Sequence, residues 1–242
     1  MRNATVLTSN VEAFLGAVEA LKKRSAGEEG MGLLWGLPGE GKSTTISYVT
    51  NTRGGVFLRA RVTWTVTSML RALMAELNLD GGRFRDPMID QAIEELSRWP
   101  RPVFIDEADY LFRQTDMLDA LRDIYDASKV PVILIGMEDI ARKIRSNDRF
   151  NRFRRRITQW IEFKGLTLAD TQLVARELCE VGVEDDLVER IHRETGGNIG
   201  HIVIALSLVE HFGKMNGIAR VGNEHYGTRP ISNANGSNLI RA

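Results

Sequence analysis

The sequence predicts an α/β protein: a five-stranded parallel sheet with helices on both faces, followed by a small all-helical appendage. Three observations carry this expectation. Short apolar runs bounded by Gly, Pro or charge alternate with segments of helical period. Those runs are continuous rather than alternating, as in strands covered on both faces. After Phe163 the strand signal stops and only helical patterns follow.

In order, the expected strands are Gly32 to Trp35, Val56 to Leu58, Val103 to Ile105, Val132 to Ile135 and, more weakly, Ile157 to Phe163. An apolar stripe of Val11, Leu15, Val18 and Leu21 predicts an early helix, capped by Thr8-Ser9-Asn10. Between the strands, helical period appears over Lys42 to Thr50, Thr67 to Leu77, Pro87 to Trp99, Thr115 to Ala127 and Glu138 to Ile144. The appendage contains Thr167 to Val181, Glu184 to Thr195 and Ile199 to Met215. The expected divisions are 1–164 for the sheet domain, 165–222 for a helical lid and 223–242 for a flexible polar tail, Gly/Asn/Ser-rich around Asn233 to Asn238.

Composition narrows the function. Of 242 residues, 43% are apolar and 26% charged, with 32 Lys+Arg against 32 Asp+Glu, the make-up of an ordinary globular chain. Zero formal net charge leaves no global field for nucleic acid or lipid, so such binding must come from local clusters. A lone Cys179 excludes a disulfide framework, and His192, His201, His211 and His225 lack the spacing of a metal site. No apolar run reaches the ~20 residues of a membrane helix and the start does not resemble a signal peptide, so a cytoplasmic protein without membrane partners is expected.

Gly36-Leu-Pro-Gly-Glu-Gly-Lys42-Ser43 fits G-x-x-x-x-G-K-[ST], the P-loop, between an expected strand and an expected helix. Glycines let successive N–H groups turn toward phosphate oxygens, and the helix that follows presents its N-terminal dipole to the same charge. Nucleotide contacts are expected from Gly36, Pro38, Gly39, Glu40, Gly41, Lys42, Ser43 and Thr44, with the Ser43 hydroxyl on Mg²⁺. Val103-Phe-Ile-Asp106-Glu107 supplies a second half, a strand ending in two carboxylates, expected beside the P-loop strand. Asp106 suits holding Mg²⁺, and Glu107 suits the base that orients the attacking water of ATP hydrolysis. The string Asp106-Glu107-Ala108-Asp109 also spells a helicase label, but those enzymes need two such domains.

These motifs, with a fourth strand, an arginine-rich stretch and a three-helix lid in that order, resemble the AAA+ ATPases over residues 8 to 215. Within them the chain resembles the transposition regulators of the Mu B, TnsC and TniB group, through Gly36 to Ser43, Arg59 to Leu79 and Ile133 to Glu138. The resemblance implies an AAA+ αβα sandwich with a helical lid. Its implied activity is ATP hydrolysis on duplex DNA, as a homo-oligomeric ring or filament that marks a target site and stimulates a transposase. Without a separate DNA-binding domain ahead of residue 36, DNA contacts would come from the core: Thr65, Thr67, Arg83 and Arg85. A helix cap and a solvent loop are equally good readings of those four positions.

Residues 142–156 hold eight basic side chains against the lone acid Asp148. They suit either a phosphate-backbone patch or the arginine that a subunit projects into its neighbour's ATP site. The resemblance points to Arg149 or Arg152, with Arg152 ahead. A plain alternative is ion pairing with the acidic stripe Asp116, Asp119, Asp123 and Asp126. Two positions depart from the family: the fourth strand ends at Gly136-Met137 without a polar side chain, and Gly200 stands where many relatives carry arginine. Both predict poor hydrolysis by isolated subunits. Two rivals share the nucleotide site: a helicase loader or replication initiator, and a nucleotide-gated scaffold with negligible catalysis.

Overall fold

A computed structural model describes residues 1–231. In chain order its elements are α1 (Ser9–Lys23), β1 (Met31–Trp35), α2 (Lys42–Arg53), β2 (Val56–Arg59), α3 (Val66–Glu76), α4 (Arg85–Arg98), β3 (Val103–Asp106) and α5 (Thr115–Ser128). Next come β4 (Val132–Gly136), α6 (Glu138–Ser146), α7 (Asn151–Arg154) and β5 (Ile157–Glu162). The last are α8 (Leu168–Leu178), β6 (Gly182–Val183), α9 (Asp185–Thr195), α10 (Ile199–Met215), β7 (Arg220–Val221) and α11 (Asn223–Tyr226). By contacts the chain divides into an α/β unit, Ala13–Leu37 with Lys42–Phe163, and a helical unit of Met1–Glu12, Pro38–Gly41 and the chain from Lys164 onward.

In the α/β unit the five strands run parallel in the order β2-β3-β4-β1-β5. Their continuous apolar runs are explained by two cores, one on each face, because successive side chains of a strand point oppositely. Leu33, Val103, Ile105, Val132 and Leu134 enter one core with α3, α4 and α5. Leu34, Phe104, Ile133 and Ile135 enter the other with α1 and α2. Phe104 is wholly buried between Phe14 and its neighbours, so truncation to Ala would cost about 3–5 kcal/mol. The weak signal of β5 reflects its edge position, where Thr158 and Glu162 are exposed. One expectation is corrected: β4 lies between β1 and β3, so the carboxylate strand is not adjacent to the P-loop strand.

The helical unit packs α8, α9 and α10 around Val174, Leu187, Ile191, Ile202, Leu206 and Val209. Thr167 caps α8 in a reciprocal capping box with Asp170, and Gly196 ends α9 in the left-handed conformation that favours glycine. Residues 223–231 are folded rather than free: α11 places Tyr226 in this core, and Ile231 is buried there as well. Two apolar anchors amid Gly, Asn and Arg are too sparse to register as a pattern. The remainder of the expected tail, including Asn233 to Asn238, lies outside the described residues.

Candidate nucleotide site

The phosphate loop leaves β1 at Trp35 and enters α2 at Lys42, as its motif requires. Gly39 and Gly41 have φ of 81° and 82°, a region that side chains rarely adopt. Lys42 Nζ donates to the carbonyls of Gly36 and Leu37 at 2.8 and 2.7 Å. Its ammonium is thus held at the loop by two carbonyls that a phosphate oxygen can replace. Thr44 and Pro38 are exposed, whereas Glu40 is buried.

Although β4 intervenes, the first turn of α2 brings Ser43 to the end of β3. Ser43 Oγ donates to Asp106 Oδ2 at 2.8 Å, and Asp106 Oδ1 accepts the Glu107 N–H at 3.0 Å. A hydroxyl and a carboxylate converging at one point are hard oxygen donors of the kind Mg²⁺ takes, so the residues present fit that ion. Glu107 itself is left-handed, with φ 55° and ψ 34°, a conformation costly for a residue with a side chain. Arg59 Nη2 reaches its Oε1 at 3.3 Å.

Asp109 is half-buried on the turn after Glu107 and accepts the Met137 N–H through Oδ2 at 2.9 Å. Burial pushes its carboxyl above the ordinary range, an effect that the Met137 N–H opposes.

Within the helical unit, the loop tip is tied by backbone and amide contacts. Asn198 Nδ2 donates to Pro38 O at 2.9 Å and the Gly200 N–H donates to Gly39 O at 2.9 Å. Asn198 Oδ1 meanwhile accepts the His201 N–H and caps α10. A Cβ on Gly200 would lie 3.3 Å from both Gly39 O and Asn198 Oδ1. A side chain at Gly200 would therefore press on the loop backbone and on the Asn198 amide.

Much of the basic stretch is occupied locally. Arg156 makes a two-pronged contact with Asp126 at 2.6 and 2.8 Å, which holds that carboxyl below its usual range. Arg142 pairs with Asp139, Arg154 donates to Arg145 O, and the Arg145 guanidinium lies over Trp160 at 4.6 Å and Trp35 at 5.3 Å. So the ion-pairing alternative holds for part of the cluster, with Asp126 as one of its acids. Arg149 is exposed and donates to Thr115 Oγ1 at 2.9 Å. Arg152 is exposed and makes no side-chain hydrogen bond or ion pair among the described residues.

At the positions expected to meet DNA, Thr65 is the cap of α3, in a reciprocal box with Ser68. Thr67 Oγ1 accepts from Arg85 Nε at 2.9 Å, and Arg83 lies 5.9 Å from the Phe84 ring centroid. Phe84 is 69% exposed.

Sequence reading does not find Arg59 and Asp109 beside Glu107, or the contact of Asn198 with Pro38 within the helical unit. Asp109 belongs to the Asp106-Glu107-Ala108-Asp109 string, and Gly196-Gly197-Asn198 is a helix-stop and helix-cap pair that marks a turn without naming what it touches.

No helix among the described residues is long and apolar enough to cross a membrane. No curated protein matches the chain significantly. Among solved structures, Cdc6p of Pyrobaculum aerophilum superposes with TM-score 0.62 at 17% identity, covering 89% of this chain and 64% of that one. The Aeropyrum pernix ORC1 protein, solved in complex with DNA, gives 0.63 at 15% identity, with 92% and 64% covered. The ORC2 protein of the same organism gives 0.69 at 12%, with 93% and 68% covered. The chain thus spans about two thirds of the length of these proteins, and at such identities the likeness concerns the fold. A family model described as an AAA domain matches residues 24–144, half of the sequence. With its P-loop, its β2-β3-β4-β1-β5 sheet and its helical unit, the chain belongs to the AAA domain family, the AAA+ ATPases.

Proposed function

We propose that this protein is an ATP-hydrolysing, DNA-binding AAA+ regulator of transposition that assembles as an oligomer on duplex DNA. The observation that carries the hydrolytic part is the 2.8 Å contact between Ser43 and Asp106 beside the strained Glu107. Ser43 and Asp106 would hold Mg²⁺, which when bound would supply charge neutralisation at the phosphates. Lys42 transfers its ammonium from the carbonyls of Gly36 and Leu37 to the phosphate oxygens. Glu107 accepts a hydrogen bond from the attacking water and orients it.

Arg152, exposed and uncommitted, is the residue offered to a neighbouring subunit's nucleotide, with Arg149 second. Thr67, Arg83 and Arg85 form the DNA-facing group, while Thr65 serves the helix first. The transposition assignment rests on the Arg59 to Leu79 and Ile133 to Glu138 segments. A replication initiator or helicase loader is the second reading, favoured by the likeness of the fold to Cdc6p and the ORC proteins.

Steady-state ATPase with and without duplex DNA, alongside Glu107→Gln, tests the core proposal. DNA-stimulated turnover that the variant abolishes supports it; nucleotide binding without turnover favours a nucleotide-gated scaffold. Electron microscopy separates the remaining two readings: filaments on duplex DNA support transposition, and a discrete complex with a replicative helicase supports loading.

A further inference from the structure

Asp109 is a carboxylate beside the hydrolytic pair that the chemistry above leaves unused. β3 stops at Asp106, Glu107 turns into the left-handed region, and the chain tightens into a 3-10 turn over Ala108–Arg113. That turn carries the Asp109 carboxyl to the tip of β4, the strand beside β3, where it accepts the Met137 N–H at 2.9 Å. Packing there is tight. A Cβ on Gly136 would lie 2.5 Å from Asp109 Oδ2 and 2.9 Å from Ile140 Cδ1. A side chain at Gly136 would therefore have to displace the carboxylate that the turn after β3 brings to this spot.

A left-handed glutamate persists only where its surroundings over-determine it. Three contacts do so here: the Glu107 N–H to Asp106 Oδ1 at 3.0 Å, the Tyr110 N–H to the Glu107 carbonyl at 3.1 Å, and the Asp109 anchor two residues on. The first two lie within the turn. Of these three, only the Asp109 contact reaches beyond the turn, to the end of β4; the Arg59 guanidinium on β2 touches the Glu107 side chain rather than the turn's backbone.

We propose that Asp109 is a positioning residue for hydrolysis: its carboxylate locks the turn that carries Glu107 onto the tip of β4. Asp109 acts through Glu107 and does not touch nucleotide. The inference rests on the ATPase reading, and the test separates the two.

Wild type and Glu107→Gln are assayed first; turnover absent from wild type sinks the ATPase reading and this inference with it. Given turnover, Asp109→Ala, Asp109→Asn and Gly136→Ala are compared for kcat, KM, affinity for a fluorescent ATP analogue with Mg²⁺, and melting temperature. Asp109→Ala is expected to lower kcat at least tenfold while nucleotide affinity stays within threefold. Asn keeps an oxygen for the Met137 N–H, so Asp109→Asn should recover most of that loss. Gly136→Ala, which displaces the carboxylate without removing it, should reproduce the Ala defect. Turnover of Asp109→Ala within twofold of wild type overturns the proposal, as does an Asn variant as impaired as Ala. If Asp109→Ala fails to fold, the Asn and Gly136→Ala variants decide by the same criteria.

Discussion

Arg59 Nη2 lies 3.3 Å from Glu107 Oε1, so a cation on β2 holds the side chain assigned to orient water. Sheet register places it there: Arg59 pairs with Asp106 across the β2–β3 ladder, and the Ala60 N–H donates to the Asp106 carbonyl at 2.9 Å. The contact is exposed, with side-chain accessibilities of 63% and 38%, and pairs of this kind contribute at most about 1 kcal/mol. That suffices for regulation but not for a permanent block. Arg59→Ala is expected to raise DNA-free turnover about two- to fivefold. Because the chain runs from Arg59 to the start of α3, DNA phosphates can compete for the same guanidinium, so the variant should also narrow the ratio of DNA-stimulated to basal rate. An unchanged basal rate would dissociate Arg59 from control of Glu107.

The Ser43–Asp106 pair makes a prediction about metal rather than about folding. Lys42→Ala removes a charged donor to phosphate and should weaken ATP binding roughly ten- to a hundredfold, the effect of about 1.5–3 kcal/mol. Asp106→Asn should weaken binding only when Mg²⁺ is present, because it leaves the loop amides intact. Titrations with Mg²⁺ and with EDTA read both effects; an Asp106→Asn defect of equal size in EDTA would remove Asp106 from the metal's coordination.

Among the arginines, geometry separates structural from intermolecular roles. Arg156 clamps Asp126 within the fold, so Arg156→Ala should lower stability by about 1 kcal/mol. Arg152→Ala should leave stability and ATP affinity unchanged and abolish assembly-dependent turnover. Mixing it with Glu107→Gln subunits checks this, because each variant is defective in a different half of a shared site. Partial recovery of activity is expected in the mixture, and its absence, with Arg149→Ala mixtures recovering, would move the role to Arg149.

Thr65 and Arg85, both proposed to face DNA, should respond differently from one another. Thr65 caps α3, so Thr65→Ala should cost about 1 kcal/mol in stability with little change in DNA affinity at temperatures where it stays folded. Arg85→Ala removes a phosphate-range cation, so binding should weaken for all sequences and its salt dependence should fall by about one charge. Fluorescence anisotropy over a salt series measures both.

How far such relationships were legible in the sequence depended on their range. Strands β1, β3 and β4 announced themselves because both faces are buried, and the P-loop because its chemistry needs contiguous residues. The edge strand β5 was faint since only two of its six side chains are buried. Two-residue strands β6 and β7 are too short to show a period, and Ile231 is a single anchor. Asn198 on Pro38, Arg59 on Glu107 and Asp109 on Met137 join segments that no local pattern links. In the last case the only local trace is the small residue Gly136, beside which the turn after β3 delivers a carboxylate.

Asp170 offers a test of the helical unit by pH. Its carboxylate is buried, which alone would raise its pKa, yet Ser9 Oγ and N–H and the Thr167 hydroxyl and N–H all donate to it, and the net shift is downward. A carboxyl whose folded pKa is depressed contributes stability that is present above its unfolded value, near 3.9, and is lost as pH falls through the folded one. Asp170→Asn should therefore cost about 1–3 kcal/mol at neutral pH, because several donors lose a charged acceptor. The gap between variant and wild type should stay constant down to about pH 5 and close below about pH 4. Denaturant melts at a series of pH values measure it. A gap that persists unchanged to pH 2 would mean that packing around the start of α8, rather than the charge of Asp170, is what the substitution disturbs.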